Sequence, residues 1–228
     1  GTYMNKLISC SEAVNRIESG MRIMLGGFFY SGLPMHLVRA LTARKGQLHD
    51  LTLISNDAGT EFMHPEAPGN ALIETGMFKK CICSFIGHND AAMKLIAAGQ
   101  LEMEMMPMGT FAERIRIGGA GIGGFLTPTG LNTAVAEGKE IIRVDGRDYL
   151  LEKPLKADIA LIYGSVVDEY GNVFLNGVAK NFNVTMATAA DYVIVEAKRY
   201  VKGGEIDPSV VSIPAPYVDA IVKAEDCV

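Results

Sequence analysis

A chain of 228 residues with 49% apolar side chains and a net charge of −5 has material for a sizeable core. Its basic residues are scattered, which excludes the electrostatic footprint of a nucleic-acid binder, and no apolar run reaches the length of a membrane span. The start, Gly1-Thr2-Tyr3-Met4, lacks the basic and apolar blocks of a secretory leader, so the expected location is the cytoplasm.

Taken in order, Ser9-Cys10-Ser11-Glu12 spells a capping box. Ala13, Val14 and Ile17 follow as its apolar stripe and Gly20 is placed to stop the helix. Arg22 to Leu25 reads as a strand running into Gly26-Gly27-Phe28. Pro34 suits the first turn of a second helix with Leu37, Val38 and Leu41 inside, and Arg44 and Lys45 favour its C-terminal dipole. Leu51 to Ile54 is a short apolar strand ending at Ser55-Asn56-Asp57. Residues 59–76 are ambiguous because Pro65 and Pro68 oppose a long helix. The alternation resumes with a strand over 81–86, a helix over 90–98 and a strand over 101–106. Thr110-Phe111-Ala112-Glu113 reads as a second capping box directly after Pro107-Met108-Gly109.

Residues 118–130 hold six glycines in thirteen positions together with Ile122, Phe125 and Leu126. So much lost backbone entropy, among buried residue types, reads as a packed, ligand-facing loop. Beyond it Ile141 to Val144, Asp145-Gly146 and Tyr149 to Leu151 spell a β-hairpin with a primed turn. A strand over 158–167, a turn over 168–172, a helix over 184–190 and a strand over 192–195 complete the pattern, and the proline-rich segment 208–216 is expected to lie over the surface. The whole reads as a single α/β unit, residues 1–228, with a mainly parallel sheet, helices on both faces and an added β-hairpin region.

Ligands of such sheets sit at the carboxyl ends of the strands. Four unusual stretches fall at or after strand ends: 26–34, 55–59, 107–110 and 118–130. The spacing in Gly26 to Gly32 is not that of a dinucleotide fingerprint, and no P-loop lysine follows Gly124. Both loops could instead bring backbone N–H groups to a carbonyl oxygen or carboxylate, with the Asn56 amide as a further donor. No nucleophile stands out. His36, His49, His64 and His88 show neither triad nor metal spacing, so no metal is expected. Ser31 and Ser55 lack the nucleophile elbow, and Glu61, Glu66 and Glu74 read as solvated carboxylates. Cys10, Cys81, Cys83 and Cys227 do not form a secreted disulfide framework. Cys81 and Cys83 are two apart and share one strand face as small core residues.

The run Gly20 to Pro34, GMRIMLGGFFYSGLP, resembles the N-terminal signature of the α subunit of family I coenzyme A transferases, the 3-oxoacid and acetate/butyrate–acetoacetate type. The likeness continues through residues 53–57, Pro107 to Thr110, Glu113 to Arg116, Gly118 to Gly130, Gly171 to Val173 and Asn181 to Asn183. The resemblance implies the coenzyme A transferase type of α/β fold and transfer of coenzyme A from a short-chain acyl thioester to a free carboxylate. Acetyl-, butyryl-, acetoacetyl- and succinyl-CoA are the donors it implies, with the thioester as substrate and no permanently bound cofactor. It also implies a nucleophilic glutamate in a Ser-Glu-Asn-Gly motif on a β subunit, a motif this chain lacks, and hence an αβ or α2β2 partner. By the same resemblance Asn56 stands as an oxyanion-hole side chain. Gly26, Gly27, Phe28, Gly32, Pro34, Met108, Gly121, Gly123, Gly124 and Phe125 would shape the substrate pocket. Two positions depart from the family: Met108 stands where glutamine is common, and Lys180 where arginine is common. The alternatives are a phosphosugar-binding or regulatory protein on a related sheet, whose glycine loops would hold phosphate, and an acyl-CoA hydrolase subunit in which water replaces the acceptor.

Overall fold

A computed structural model describes residues 5–57, 69–86 and 89–227, the side chains of 69–71 excepted. In chain order the elements are α1 (Cys10–Asn15), β1 (Arg22–Leu25), α2 (Met35–Thr42), β2 (Leu51–Ser55), α3 (Gly69–Glu74), β3 (Phe78–Cys83), α4 (Asp90–Ala97), β4 (Glu102–Met105), α5 (Met108–Ala120), β5 (Phe125–Thr127), β6 (Ile141–Val144), β7 (Arg147–Glu152), β8 (Ala157–Asp168), β9 (Val173–Phe174), α6 (Asn183–Met186), β10 (Ala190–Val201) and β11 (Ala220–Lys223).

Seven strands form a parallel sheet in the order β11-β10-β8-β1-β2-β3-β4, with β9 antiparallel to β8; β5, β7 and β6 form a separate antiparallel sheet. Alternation along each central strand divides the core in two, since successive side chains point to opposite faces. Ile23, Leu25, Leu53, Cys81 and Leu161 join the buried faces of α1 and α2 and the segment around α3 on one side. Met24, Ile54, Ile82, Ala160 and Ile162 join Phe111, Ile115 and Met186 on the other. Helices therefore cover both faces, which is why the strands read as continuous apolar runs.

Local chemistry explains most boundaries. Ser9 caps α1, its Oγ accepting from the Glu12 N–H at 3.0 Å. The helix ends at Asn15, and Gly20, at φ +84°, serves the turn into β1 instead of stopping the helix. Arg44 lies beyond the end of α2 and donates to the Val14 and Ile17 carbonyls at 2.7 and 2.6 Å. It thus closes the C-terminus of α1, not the dipole of its own helix. Pro34 stands at the N-cap of α2 with no side chain to offer, and the buried carboxylate of Glu196 on β10 accepts from the Leu37 N–H at 2.8 Å in its place.

Several expectations are corrected. β3 lies three residues earlier than the sequence implies, and α6 is a single turn ending at Met186, with β10 beginning at Ala190. β11 was not foreseen. The second capping box does not form: α5 starts at Met108, so Thr110 is a buried residue of its first turn. The glycine-rich stretch is not one loop. Gly118 and Gly119 are the last turn of α5, Gly121 is its left-handed cap at φ +71°, and Phe125–Thr127 is strand β5. A Cβ on Gly118 would overlap the Leu155 carbonyl and one on Gly119 the Thr188 hydroxyl, so these glycines serve helix packing. The hairpin of β6 and β7 turns on Asp145 and Gly146 at φ +50° and +78°, as a primed turn requires.

Candidate active site

The chain fills β1 to β4 outward and then returns through α5 to place β8 on the other side of β1, so the order reverses between β1 and β8. A crevice opens there in sheets of this kind. Here it is occupied by the protein itself. Asn183, fully buried, donates through Nδ2 to the Gly32 and Ala179 carbonyls at 3.0 and 2.9 Å and accepts on Oδ1 from the Tyr163 N–H at 3.0 Å. A side chain on Gly26 would collide with the Asn183 carboxamide, and one on Gly32 would lie 2.8 Å from Nδ2. Asn181 adds a bond to the Ser31 carbonyl at 2.9 Å.

The loop after β1 is consequently a closed structure, not an open cradle. Phe28 and Ser31 exchange backbone bonds at 3.0 Å, the Gly26 N–H is donated to Leu161 O at 2.9 Å, and the Phe29 N–H to Asp57 Oδ2 at 3.1 Å. Those amides are spent inside the protein. The amides of Gly26, Phe28, Phe29 and Ser31 are therefore not offered to a ligand oxygen in this chain by itself. Phe29 sits at φ +54°, a conformation that costs a non-glycine residue about 1 kcal/mol and that these bonds hold in place.

Register sets what stands next to this loop. Leu25 pairs with Ser55, Ile54 with Ile82, and Cys83 with Met105, so Gly26, Asn56, Ser84 and Met106 are the first residues past the sheet on four adjacent strands. Asn56 is fully buried. Its carbonyl accepts the Ser84 and Phe85 N–H groups at 3.0 and 3.1 Å, and its Oδ1 accepts the Ser84 hydroxyl at 2.7 Å. Asn56 Nδ2 is buried without a hydrogen-bond partner among the described residues, an arrangement that costs about 1–3 kcal/mol when left unmade. On the loops that follow β1 and β3, Phe29 makes edge-to-face contacts with Phe28 and Phe85, with centroids 4.7 and 5.6 Å apart. Met108, 44% exposed, opens α5 beyond β4 on the same rim.

Gly121, Gly123, Gly124 and Phe125 are elsewhere. α5 is about 20 Å long, and its last turn packs on Leu155 and Thr188, just ahead of β8 and β10. Phe125 pairs with Glu152. These residues therefore lie toward the amino ends of the parallel strands, and within this chain they do not meet Asn56. The small sheet is fastened there by buried Glu152, bonded to Lys139 Nζ at 2.6 Å and 4.0 Å from Arg114 Nε. Pro34 is buried behind the loop, and Lys180 is exposed.

Of the carboxylates, Glu61 and Glu66 lie outside the described residues, as do His64 and His88. Glu74, at the end of α3, is at the amino end of β3, away from Asn56. Asp57 and Glu196 both accept backbone N–H bonds. Burial pushes the Glu196 carboxyl above its ordinary range, against the opposing Leu37 N–H and His36, whose Nδ1 is 3.2 Å away. Cys81 and Cys83 are buried core residues, as their spacing implies. The hydrogen bond between them lowers the Cys83 thiol and raises Cys81. Among the described residues no group of three His, Cys, Asp or Glu side chains could hold a metal, and no helix is long and apolar enough to cross a membrane. Sequence reasoning missed Asn183 and Ser84; the only signal for the first was two asparagines flanking Phe182.

Residues 7–224 match the family model described as coenzyme A transferase. The chain is a member of the coenzyme A transferase family. It is 42% identical over 219 residues to the acetoacetyl-CoA:acetate/butyrate CoA transferase alpha subunit of Clostridium acetobutylicum, covering 96% of this chain and 98% of that one. It is 39% identical over 230 residues to mitochondrial succinyl-CoA:3-ketoacid coenzyme A transferase 2A of Mus musculus, covering 93% of this chain but 43% of the other. The fold matches a crystal structure of an acyl-CoA transferase from Escherichia coli O157:H7 with a TM-score of 0.83 at 20% identity, over 96% of this chain and 47% of that one. The transferase thus spans nearly the whole of some relatives and about half of others.

Proposed function

We propose that this coenzyme A transferase chain is the α subunit of a heteromeric enzyme that moves coenzyme A between a short-chain acyl thioester and a carboxylic acid. The observation that carries the reading is the buried, unpartnered Asn56 Nδ2 at the carboxyl edge of the sheet, with the carboxylates of Asp57 and Glu196 tied to backbone amides. Such a site supplies a donor for developing negative charge and needs its nucleophile from outside. The partner is a β subunit carrying a glutamate. That carboxylate adds to the thioester carbonyl, the C–S bond breaks, and a mixed anhydride and coenzyme A thiolate result. The thiolate then attacks the glutamyl carbonyl, releasing the first acid and leaving a glutamyl thioester, and the acceptor carboxylate runs both steps in reverse. In each tetrahedral state the charge falls on oxygen, where Asn56 Nδ2 donates. Asn56 is fully buried in this chain by itself, so the reading requires the carboxyl edge of the sheet to open there when substrate and partner bind. Met108, exposed on the same rim, is assigned to the substrate pocket. The transferase is expected in the cytoplasm, as αβ or α2β2.

The test is coenzyme A exchange from acetyl-CoA to butyrate or acetoacetate, by the chain alone and with its β partner. Activity only in the mixture, lowered about 10²–10³-fold in kcat by Asn56→Ala, is expected. Exchange by the chain alone would overturn the division of labour.

A further inference from the structure

Cys10 opens α1 and Cys227 stands at the other end of the described chain, 217 residues away, yet the two are joined as a disulfide with Cα atoms 5.4 Å apart. That separation lies within the range a disulfide tolerates. Both ends of the described chain meet at one edge strand. The Ile8 N–H donates to Ile221 O at 2.9 Å and the Ile221 N–H to Lys6 O at 2.8 Å, so residues 6–8 run beside β11. The disulfide closes this attachment from both sides.

Small molecules can reach the bond. Cys10 and Cys227 line an open cavity of about 780 Å³ shared with His36, Arg39, Arg44 and Asp226. With two arginines against one aspartate the lining carries a net positive charge, which favours anionic reagents. Cys81 and Cys83, by contrast, are free thiols sealed in the core. A disulfide that a small thiol can reach is the labile kind.

We propose that Cys10–Cys227 is a reversible redox clasp, made and broken by exchange with anionic low-molecular-weight disulfides and thiols, that fastens both chain ends to β11 in the oxidised state. The thiolate of Cys227, the more exposed of the two, attacks a sulfur of the oxidant RSSR, forming a mixed disulfide and expelling RS⁻. The Cys10 thiolate then attacks Cys227 Sγ, forming the intramolecular bond and expelling the second RS⁻. Two protein thiols are oxidised and one RSSR is reduced to two RSH, the two thiol protons ending on the released thiols. Excess RSH reverses both steps. The clasp is independent of the proposed transfer chemistry.

Glutathione is the probe. The full chain is equilibrated across ratios of reduced to oxidised glutathione, quenched in acid, unfolded and labelled with a mass-tagging maleimide, and its melting is followed in parallel. Four tags at the reduced limit and two at the oxidised limit are expected, with tryptic peptides 7–16 and 224–228 linked. Melting should rise about 5–10 °C on oxidation because the bond closes a very long loop. In Cys227→Ser that rise should vanish. Four tags at every ratio, two tags that persist in excess reduced glutathione without unfolding, or a melting temperature indifferent to oxidation in the wild type would each overturn the clasp.

Discussion

Replacing Gly26 with alanine tests whether the glycine loop is shaped by the protein's own asparagine or by a ligand. The added methyl would fall on the Asn183 carboxamide, and its nearest carbon contact would be 2.8 Å from Cγ. Neither can retreat easily, since Gly26 is tied to Leu161 O and Asn183 is fully buried. Expelling the carboxamide strands the Tyr163 N–H and leaves the Gly32 and Ala179 carbonyls without their donor. Buried groups left unpaired cost about 1–3 kcal/mol each, so with partial relaxation the loss should be about 3–5 kcal/mol. That is a large share of the roughly 5–15 kcal/mol that holds a domain folded. With a urea slope of about 2–3 kcal/mol/M the midpoint should fall by about 1–2 M. Asn183→Ala alone should cost about 3 kcal/mol by orphaning the same groups. In the double variant the new methyl finds the vacated space, so the combined loss should fall short of the sum by about 1–3 kcal/mol. A midpoint shift below about 0.3 M for Gly26→Ala, or additivity within about 0.5 kcal/mol, would refute the reasoning.

Other perturbations separate packing glycines from permissive ones. Gly118→Ala and Gly119→Ala should each destabilise by about 1–3 kcal/mol despite alanine's better helix propensity, because the added methyls meet Leu155 and Thr188. Gly109→Ala, with nothing within 4 Å, should stabilise by about 0.5–1 kcal/mol in the same chemical denaturation series. Arg44→Ala should lower the midpoint by the equivalent of about 1–3 kcal/mol, since two carbonyls at the end of α1 lose their donor. Glu196 is held above its ordinary value near 4.5 by burial, so the folded state binds its proton more tightly than the unfolded one. Its contribution to stability is complete below about pH 4.5 and is lost as pH rises through the raised value. Melts of wild type and Glu196→Gln across that window should show a difference that shifts against the wild type with rising pH and then levels off; a constant difference would count against a buried, titrating carboxyl.

Much of the architecture was legible because the signals were local. Apolar runs bounded by turn-forming residues gave β1, β2 and β8, Ser9 gave the start of α1, and Asp145-Gly146 gave the hairpin. The alternation of strands and helices was enough for a parallel sheet covered on both faces. At the candidate site the position of Asn56 past β2 followed from the strand alone. Its unpaired Nδ2 did not, because Ser84 from the neighbouring strand fixes Oδ1 and no acceptor among the described residues of the folded chain faces the nitrogen.

The misread contacts share one cause. A glycine shows in sequence that a side chain is not tolerated, but it does not show what fills the space. At Gly26 and Gly32 the neighbour is Asn183, about 150 positions away, and at Gly118 and Gly119 it is Leu155 and Thr188; each was read as exposure to a ligand. The same limit applies to charge and to sulfur. Arg44 beside its own helix looked like a dipole cap until tertiary packing carried it to α1, and Glu196 capping α2 and Cys10 meeting Cys227 are contacts between distant segments. The sequence by itself determined where the chain is extended or helical and which faces are apolar, since these follow from backbone preference and periodicity over a few residues. Tertiary structure decided which polar groups are spent and which glycines are packed. That outcome depends on the order in which the strands assemble, and with it the folded chain leaves Asn56 Nδ2 as a buried unpartnered donor at the carboxyl edge of the sheet.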